Sequence, residues 1–192
     1  IVVDATRDED LFDIGKAADD LKLLTGGSGI ALGLPENFRQ RGLLAGGTDH
    51  WTGETEKCVI LSGSCSNATR EQVTRHAQDN PSFEIEARAV LEGQLSAETV
   101  ADWFMRQQGL PLAYSSADPD VVRQVQEEFG RERAAQALEN LFADIARITV
   151  AAGAGRLITA GGETSGAVVE GLGLEQLEVG PEIAVGVPAL RA

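Results

Sequence analysis

Long apolar runs are missing from this 192-residue sequence, and no window approaches the ~20 residues a bilayer span needs, so a transmembrane helix is not expected. Lysine is scarce, limited to Lys16, Lys22 and Lys57, and the formal net charge is −14. A nucleic-acid surface needs clustered Lys and Arg, and that class is excluded. Two cysteines, Cys58 and Cys65, are too few for a disulfide framework or a cysteine metal site. The two histidines, His50 and His76, stand isolated and read as surface or packing residues. What remains is ordinary: 43% hydrophobic and 24% charged residues, enough for a core in one domain, with a cytoplasmic location as the plain expectation.

A rhythm runs along the chain. Short apolar runs lead through small-residue turns into helical patterns: "IVVDA" (1–5) into a helix near 8–18, and "LKLLT" (21–25) into one near 29–41. "KCVILSG" (57–63) leads into a helix near 67–79, "SFEIEARAV" (82–90) into one near 96–108, and "LPLAYSS" (110–116) into one starting at Asp118–Pro119. That last helix is expected to end at Gly130; Ala134, Leu138, Leu141, Phe142, Ile145 and Ile148 then mark another, core-facing helix. "RLITA" (156–160) reads as the last clear strand, and "GGETSG" opens the last clear helix. Residues 42–56 lack periodicity and read as a loop. Strands alternating with helices predict an α/β fold with a largely parallel, Rossmann-like sheet flanked by helices. The right-handed crossover then puts the strand-to-helix turns on one sheet edge, where such sheets bind ligands.

Three of those turns are rich in glycine and hydroxyls: Gly26-Gly27-Ser28-Gly29, Gly63-Ser64-Cys65-Ser66 and Gly161-Gly162-Glu163-Thr164-Ser165-Gly166. A helix N-terminus offers free backbone N–H groups and about half a positive charge. Glycine admits a phosphate close to that backbone, and Ser or Thr adds a hydroxyl. The grip would need few lysines. The bland reading is that each glycine serves tight packing. The sequence contains no G-x-x-x-x-G-K-[ST] loop, and Gly27, Gly29 and Gly33 are spaced one residue too long for the dinucleotide fingerprint. Cys65 is either a thiolate at a helix start or a small residue in a crowded turn. Glu163 and Asp4 are the acids placed to reach Mg²⁺ beside phosphates; for Glu163 a favourable helix dipole is the other explanation. A dinucleotide-dependent oxidoreductase using the turn at 26–29, or a non-catalytic α/β ligand-binding module, are the alternatives.

"VILSGSCSNATREQV" (59–73) and "RLITAGGETSGAVVEGLGLEQLEVGPEIAVGVPAL" (156–190) resemble the nucleotide-binding half of the four-carbon acid sugar kinases, which include 3-oxo-tetronate, threonate and erythronate kinases. "VVDATRDEDL" (2–11) and "TGGSGIALGL" (25–34) are similar to the same domain's opening segments. The resemblance implies ATP contacts at Ser64, Gly161, Gly162, Glu163 and Thr164, with Mg²⁺ and a small acid sugar as further partners. It also implies that 1–192 is one nucleotide-binding domain, a fragment whose parent adds an N-terminal sugar-binding domain and a last C-terminal segment. A homo-oligomer is compatible with this reading.

Overall fold

The computed structural model describes residues 2–44, 51–115, 119–184 and 186–192. The chain divides into two compact units, Ile1–His50 and Trp51–Ala192.

In the first unit, helix α1 (Asp8–Ala17) starts after Arg7, whose N–H, like that of Thr6, donates to Asp10 Oδ2 at 3.0 and 2.9 Å. The Thr6 N–H bond, opposed by partial desolvation and reinforced by the Arg7 N–H, holds the Asp10 carboxyl below the ordinary aspartate range. A 3-10 helix, Ser28–Gly33, runs into α2 (Leu34–Gln40). Gly15 and Gly33 touch backbone to backbone, with no room for a Cβ on either. Buried Asn37 donates its side-chain amide to Gly15 O at 2.8 Å and fastens α2 to α1.

Neither 2–5 nor Leu21–Thr25 forms a strand, contrary to the sequence expectation. A short apolar run becomes a strand only where a neighbour offers a ladder, and none is provided among the described residues of this unit. Leu21 and Leu23 are exposed.

The second unit carries the sheet. Strands β1 (Lys57–Ser62), β2 (Ser82–Glu84), β3 (Leu112–Tyr114) and β4 (Ala154–Ala160) pair in the order β2-β3-β1-β4, every pair parallel. The connections are helical: α3 (Asn67–Asp79); α4 (Ala87–Leu91) and α5 (Ala97–Arg106); α6 (Pro119–Phe129) and α7 (Arg131–Ala151). Helix α8 (Gly162–Gly171) follows β4 and leads to an antiparallel hairpin, β5 (Glu178–Ala184) and β6 (Val187–Arg191). The expected α/β class with a largely parallel sheet is observed.

Alternation along the strands decides the two faces. Val59, Leu61 and Ala113 turn to one side and pack with Val100, Phe104, Phe142 and Ile145, all essentially inaccessible to solvent. Helix α7 is the buttress of that face, packed against α4, α5, α6 and α8. Gly130, at φ 88°, turns α6 into α7, as its place in the sequence suggests. The chain moves from β1 outward to β2 and then back across to β3 and β4, so the right-handed crossover rule assigns α3 to the opposite face. Val73, the buried residue of α3, accordingly lies outside that cluster.

Two departures have local causes. β2 stops at Glu84 because its partner β3 is three residues long, and helix α4 takes over at Ala87. The final hairpin is hidden in the sequence by Gly180-Pro181 and Gly186. Proline cannot donate to a ladder and is absorbed here in an irregular register between Val179 and Glu182.

Phe142→Ala should lower unfolding free energy by about 3–5 kcal/mol, read from urea denaturation, since it empties the centre of the buttress. Asp10 predicts a pH effect. Its lowered pKa adds stability above the unfolded aspartate range, and that contribution is lost as pH falls through the folded value. Asp10→Asn should therefore remove an acid-limb slope from the unfolding of α1, read by amide exchange.

Candidate functional site

Strands β1 and β4 are neighbours, ending side by side with Ser62 opposite Ala160. Their outgoing helices, α3 and α8, leave toward opposite faces. This is the topological switch point at which open α/β sheets form a ligand crevice. Both small-residue turns of this unit, 63–66 and 161–166, start here.

The two turns interlock. Gly63 N–H donates to Ala160 O at 3.0 Å. A Cβ on Gly63 would collide with Thr164 Oγ1 and come within 3.2 Å of Phe142 Cε2. A Cβ on Gly161 would lie 3.2 Å from Ser64 N and 3.3 Å from Thr164 Oγ1. Gly63, Ser64, Gly161 and Thr164 are thus brought into one contact, although 98 residues separate Gly63 from Gly161 in the chain. Gly161 has φ 118° and ψ 134°, a conformation that a side chain would strain.

The helix starts differ in what they leave open. Ser66 caps α3: its Oγ accepts from Thr69 N at 3.2 Å and donates to Thr69 Oγ1 at 2.9 Å. Thr69 Oγ1 in turn donates to Ser64 Oγ at 3.2 Å, so the Ser64 hydroxyl is held at the end of a short relay. The N-terminus of α8 has no side-chain cap. Ser165 turns away from it: its hydroxyl donates to Gly161 O at 2.8 Å and sits 2.9 Å from Thr159 Oγ1. Around Gly162 a Cβ would meet no atom within 4 Å. Gly162 is exposed, and the uncapped first turn of α8 keeps the anion-binding character of a helix N-terminus. Thr164 is 5% exposed, and its hydroxyl makes no hydrogen bond among the described residues.

The other sequence candidates fall as follows. Glu163 is exposed in the first turn of α8. Cys65 is exposed, its Sγ 4.0 Å from Gly63 O, whereas Cys58 is buried inside β1. Asp4, Gly27 and Ser28 belong to the first unit, where Gly27 precedes the 3-10 helix. No strand leads into that turn, so the strand–turn–helix setting that a dinucleotide site requires is missing at 26–29. His76 is accounted for by a 2.7 Å bond from Nε2 to Leu110 O; His50, Ser116 and Asp118 lie outside the described residues. No group of three or more His, Cys, Asp or Glu residues is placed to hold a metal ion among the described residues.

Sequence reasoning missed Ser115. It is buried at the end of β3 and donates its N–H to Ser62 O at 2.9 Å, extending the polar edge beyond β1. The only signal was the pair of serines closing "LAYSS". Beside it, burial, with help from the Glu84 charge, raises the Tyr114 phenol above its ordinary range.

The family described as the nucleotide-binding C-terminal domain matches residues 59–192. The chain belongs to this family. A 3-oxo-tetronate kinase from Cupriavidus necator is 45% identical over 98% of the chain and 44% of its own length. The 3-oxo-tetronate kinase of Haemophilus influenzae is 35% identical over 100% of the chain and 46% of its own length. A crystal structure of a Haemophilus influenzae protein superposes with a TM-score of 0.77 at 36% identity, covering 100% of this chain and 46% of that one. One from Salmonella typhimurium gives 0.80 at 34% identity, covering 98% and 45%. The chain thus spans a little under half the length of these relatives. The nucleotide-binding C-terminal domain match contains both interlocked turns but not the first unit, and no helix among the described residues is long and apolar enough to cross a membrane.

Gly63→Ala should destabilise this domain by about 1–3 kcal/mol through overpacking against Thr164. Combined with Thr164→Ala, the substitutions should cost less than their sum, a coupling measurable in a double-mutant unfolding cycle.

Proposed function

We propose that residues 51–192 hold ATP, and that the protein of which they form part transfers its terminal phosphoryl group to a hydroxyl of a four-carbon acid sugar. The observation that carries this reading is the uncapped N-terminus of α8, set at the switch point and walled by Gly63 and Ser64. Support comes from the family of the domain and from relatives named 3-oxo-tetronate kinase.

Phosphoryl transfer asks a protein mainly for positioning and for neutralisation of charge on the phosphates. The N–H groups of Gly162, Glu163 and Thr164 are the donors for one phosphate, with the Thr164 hydroxyl beside them. The Ser64 hydroxyl, fixed through Thr69, forms the other wall of the crevice. Backbone groups cost no reorganisation when charge develops, because the fold has already aligned them.

Mg²⁺ belongs with this substrate. Its usual site takes one or two carboxylates together with phosphate oxygens and waters, not an all-protein cage. Exposed Glu163 fits that description. The ion would supply positive charge to the phosphates that this acidic chain does not. The acid sugar, by this proposal, binds on an N-terminal half outside these residues, and the base that takes the hydroxyl proton lies there too.

Gly162 is the position that separates binding from folding. A side chain there meets open space, at a helix start where glycine has no conformational duty, since its φ is not positive. Gly162→Leu should leave the unfolding midpoint in place yet weaken MgATP binding at least about tenfold in calorimetric titration, by covering the N–H groups. Equal ATP affinity in the two proteins would sink the phosphate assignment.

A further inference from the structure

In the first unit two apolar runs stand without a ladder among the described residues, on either side of helix α1. We infer that this unit is not part of the nucleotide-binding domain. Its runs 2–5 and 21–25 are parallel strands of a sheet whose other strands lie in the half of the protein outside these 192 residues. From the function proposed above this takes only the existence of that half.

The pattern is that of a crossover unit. Val2 and Val3, then α1, then Leu21, Leu23 and Leu24 give an apolar run, a helix and a second apolar run. The segment between the runs is longer than the roughly twelve residues a parallel connection needs. Strands of a parallel sheet are covered on both faces. Here Val2 and Val3 are exposed, as is Leu21, and Leu23 is 79% exposed. Helix α1 buries Gly15 against Gly33 but leaves Phe12 51% exposed, as a crossover helix does when it lacks its sheet. A unit of this length lies close to the lower limit for folding unaided, and it contains no cysteine to staple it. Two short strands make a marginal sheet, and stability takes three or more with a covered face. The unit therefore needs strands from elsewhere.

Two observations name the supplier. The match to the nucleotide-binding family starts at residue 59 and leaves the first unit out. The Haemophilus influenzae relative nevertheless matches 100% of the chain, so it includes that unit, while this chain amounts to 46% of its length. The unit thus accompanies the domain without being part of the matched region, and more than half of such a protein remains to provide the strands. Covalent attachment favours that half over a second copy. Strands on one polypeptide meet at an effective concentration of about millimolar order, whereas a second copy must be recruited from bulk solution. On this division the nucleotide-binding domain begins near Trp51.

The test compares amide exchange in this chain and in the full-length protein. In the chain, amides of 2–5 and 21–25 should exchange within about tenfold of their unprotected rates; in the full-length protein they should slow at least about a hundredfold. Equal exchange in the two proteins would overturn the assignment. So would protection already present in the chain, whether in a monomer or in a dimer of two copies, which light scattering tells apart. Leu23→Asp gives a second reading. It should leave the urea midpoint of the chain in place, since the side chain is solvated there, and lower that of the full-length protein by about 0.5 M or more. A full-length variant that fails to fold, beside a chain variant that folds, supports the assignment equally. The same effect in both proteins would overturn it. MgATP titration of the chain reads the phosphate site separately: loss of binding there sinks that site and leaves the division of the chain standing.

Discussion

Everything at the crevice depends on one close approach, that of Gly63 to Thr164 across the ends of β1 and β4. Parallel pairing puts Ser62 level with Ala160, so the turns that follow emerge at the same height and must share the same space. They can do so only because Gly63 and Gly161 carry no side chain where Thr164 and Ser64 press in. Phe142, buried on α7, closes the floor beneath. A well-packed interior transmits small displacements instead of absorbing them. The position of the α8 N-terminus is therefore tied to the core of the unit, and the crevice is rigid by construction.

That rigidity matters for a protein with a net charge of −14. Long-range attraction of an anion by side-chain cations is weak here, so the proposed phosphate grip relies on local dipoles aligned in advance. A helix start acts over the length of one turn, so it discriminates by contact and shape instead of by overall field.

The sequence was most legible where local and tertiary preferences agree. Helix α3 runs over Asn67–Asp79, the span expected from its pattern, because Ser66 supplies a cap and Val73 the buried position. Gly130 was legible as a break because only a residue free to take positive φ can turn α6 so abruptly into α7. The runs at 1–5 and 21–25 misled for the opposite reason: aliphatic composition is shared by strands and by unpaired segments, and no ladder was present to decide between them. The last hairpin stayed hidden because Pro181 and two glycines argue locally against a strand, while the antiparallel partner β6 tolerates them through shifts in register.

At the site, composition singled out three small-residue turns, at 26–29, 63–66 and 161–166, and the fold brings the last two into contact. Composition could not rank the residues within them. Ser64, Ser66, Thr164 and Ser165 are chemically alike in the sequence, yet the fold commits Ser66 to a cap and Ser165 to its own turn, holds Ser64 through Thr69, and leaves the hydroxyl of Thr164 against the crevice. Nor could it tell that the turn at 26–29 stands without a strand. By itself the sequence determined the α/β class, the starts of α1, α3, α5, α6 and α8 and the glycine turns, because those follow from short-range patterns of size and polarity. Which turns meet, which helix start stays open and which hydroxyls are free were decided only by tertiary structure, because they depend on strand order and register, and hydrogen bonds between distant residues are settled only when the sheet is assembled.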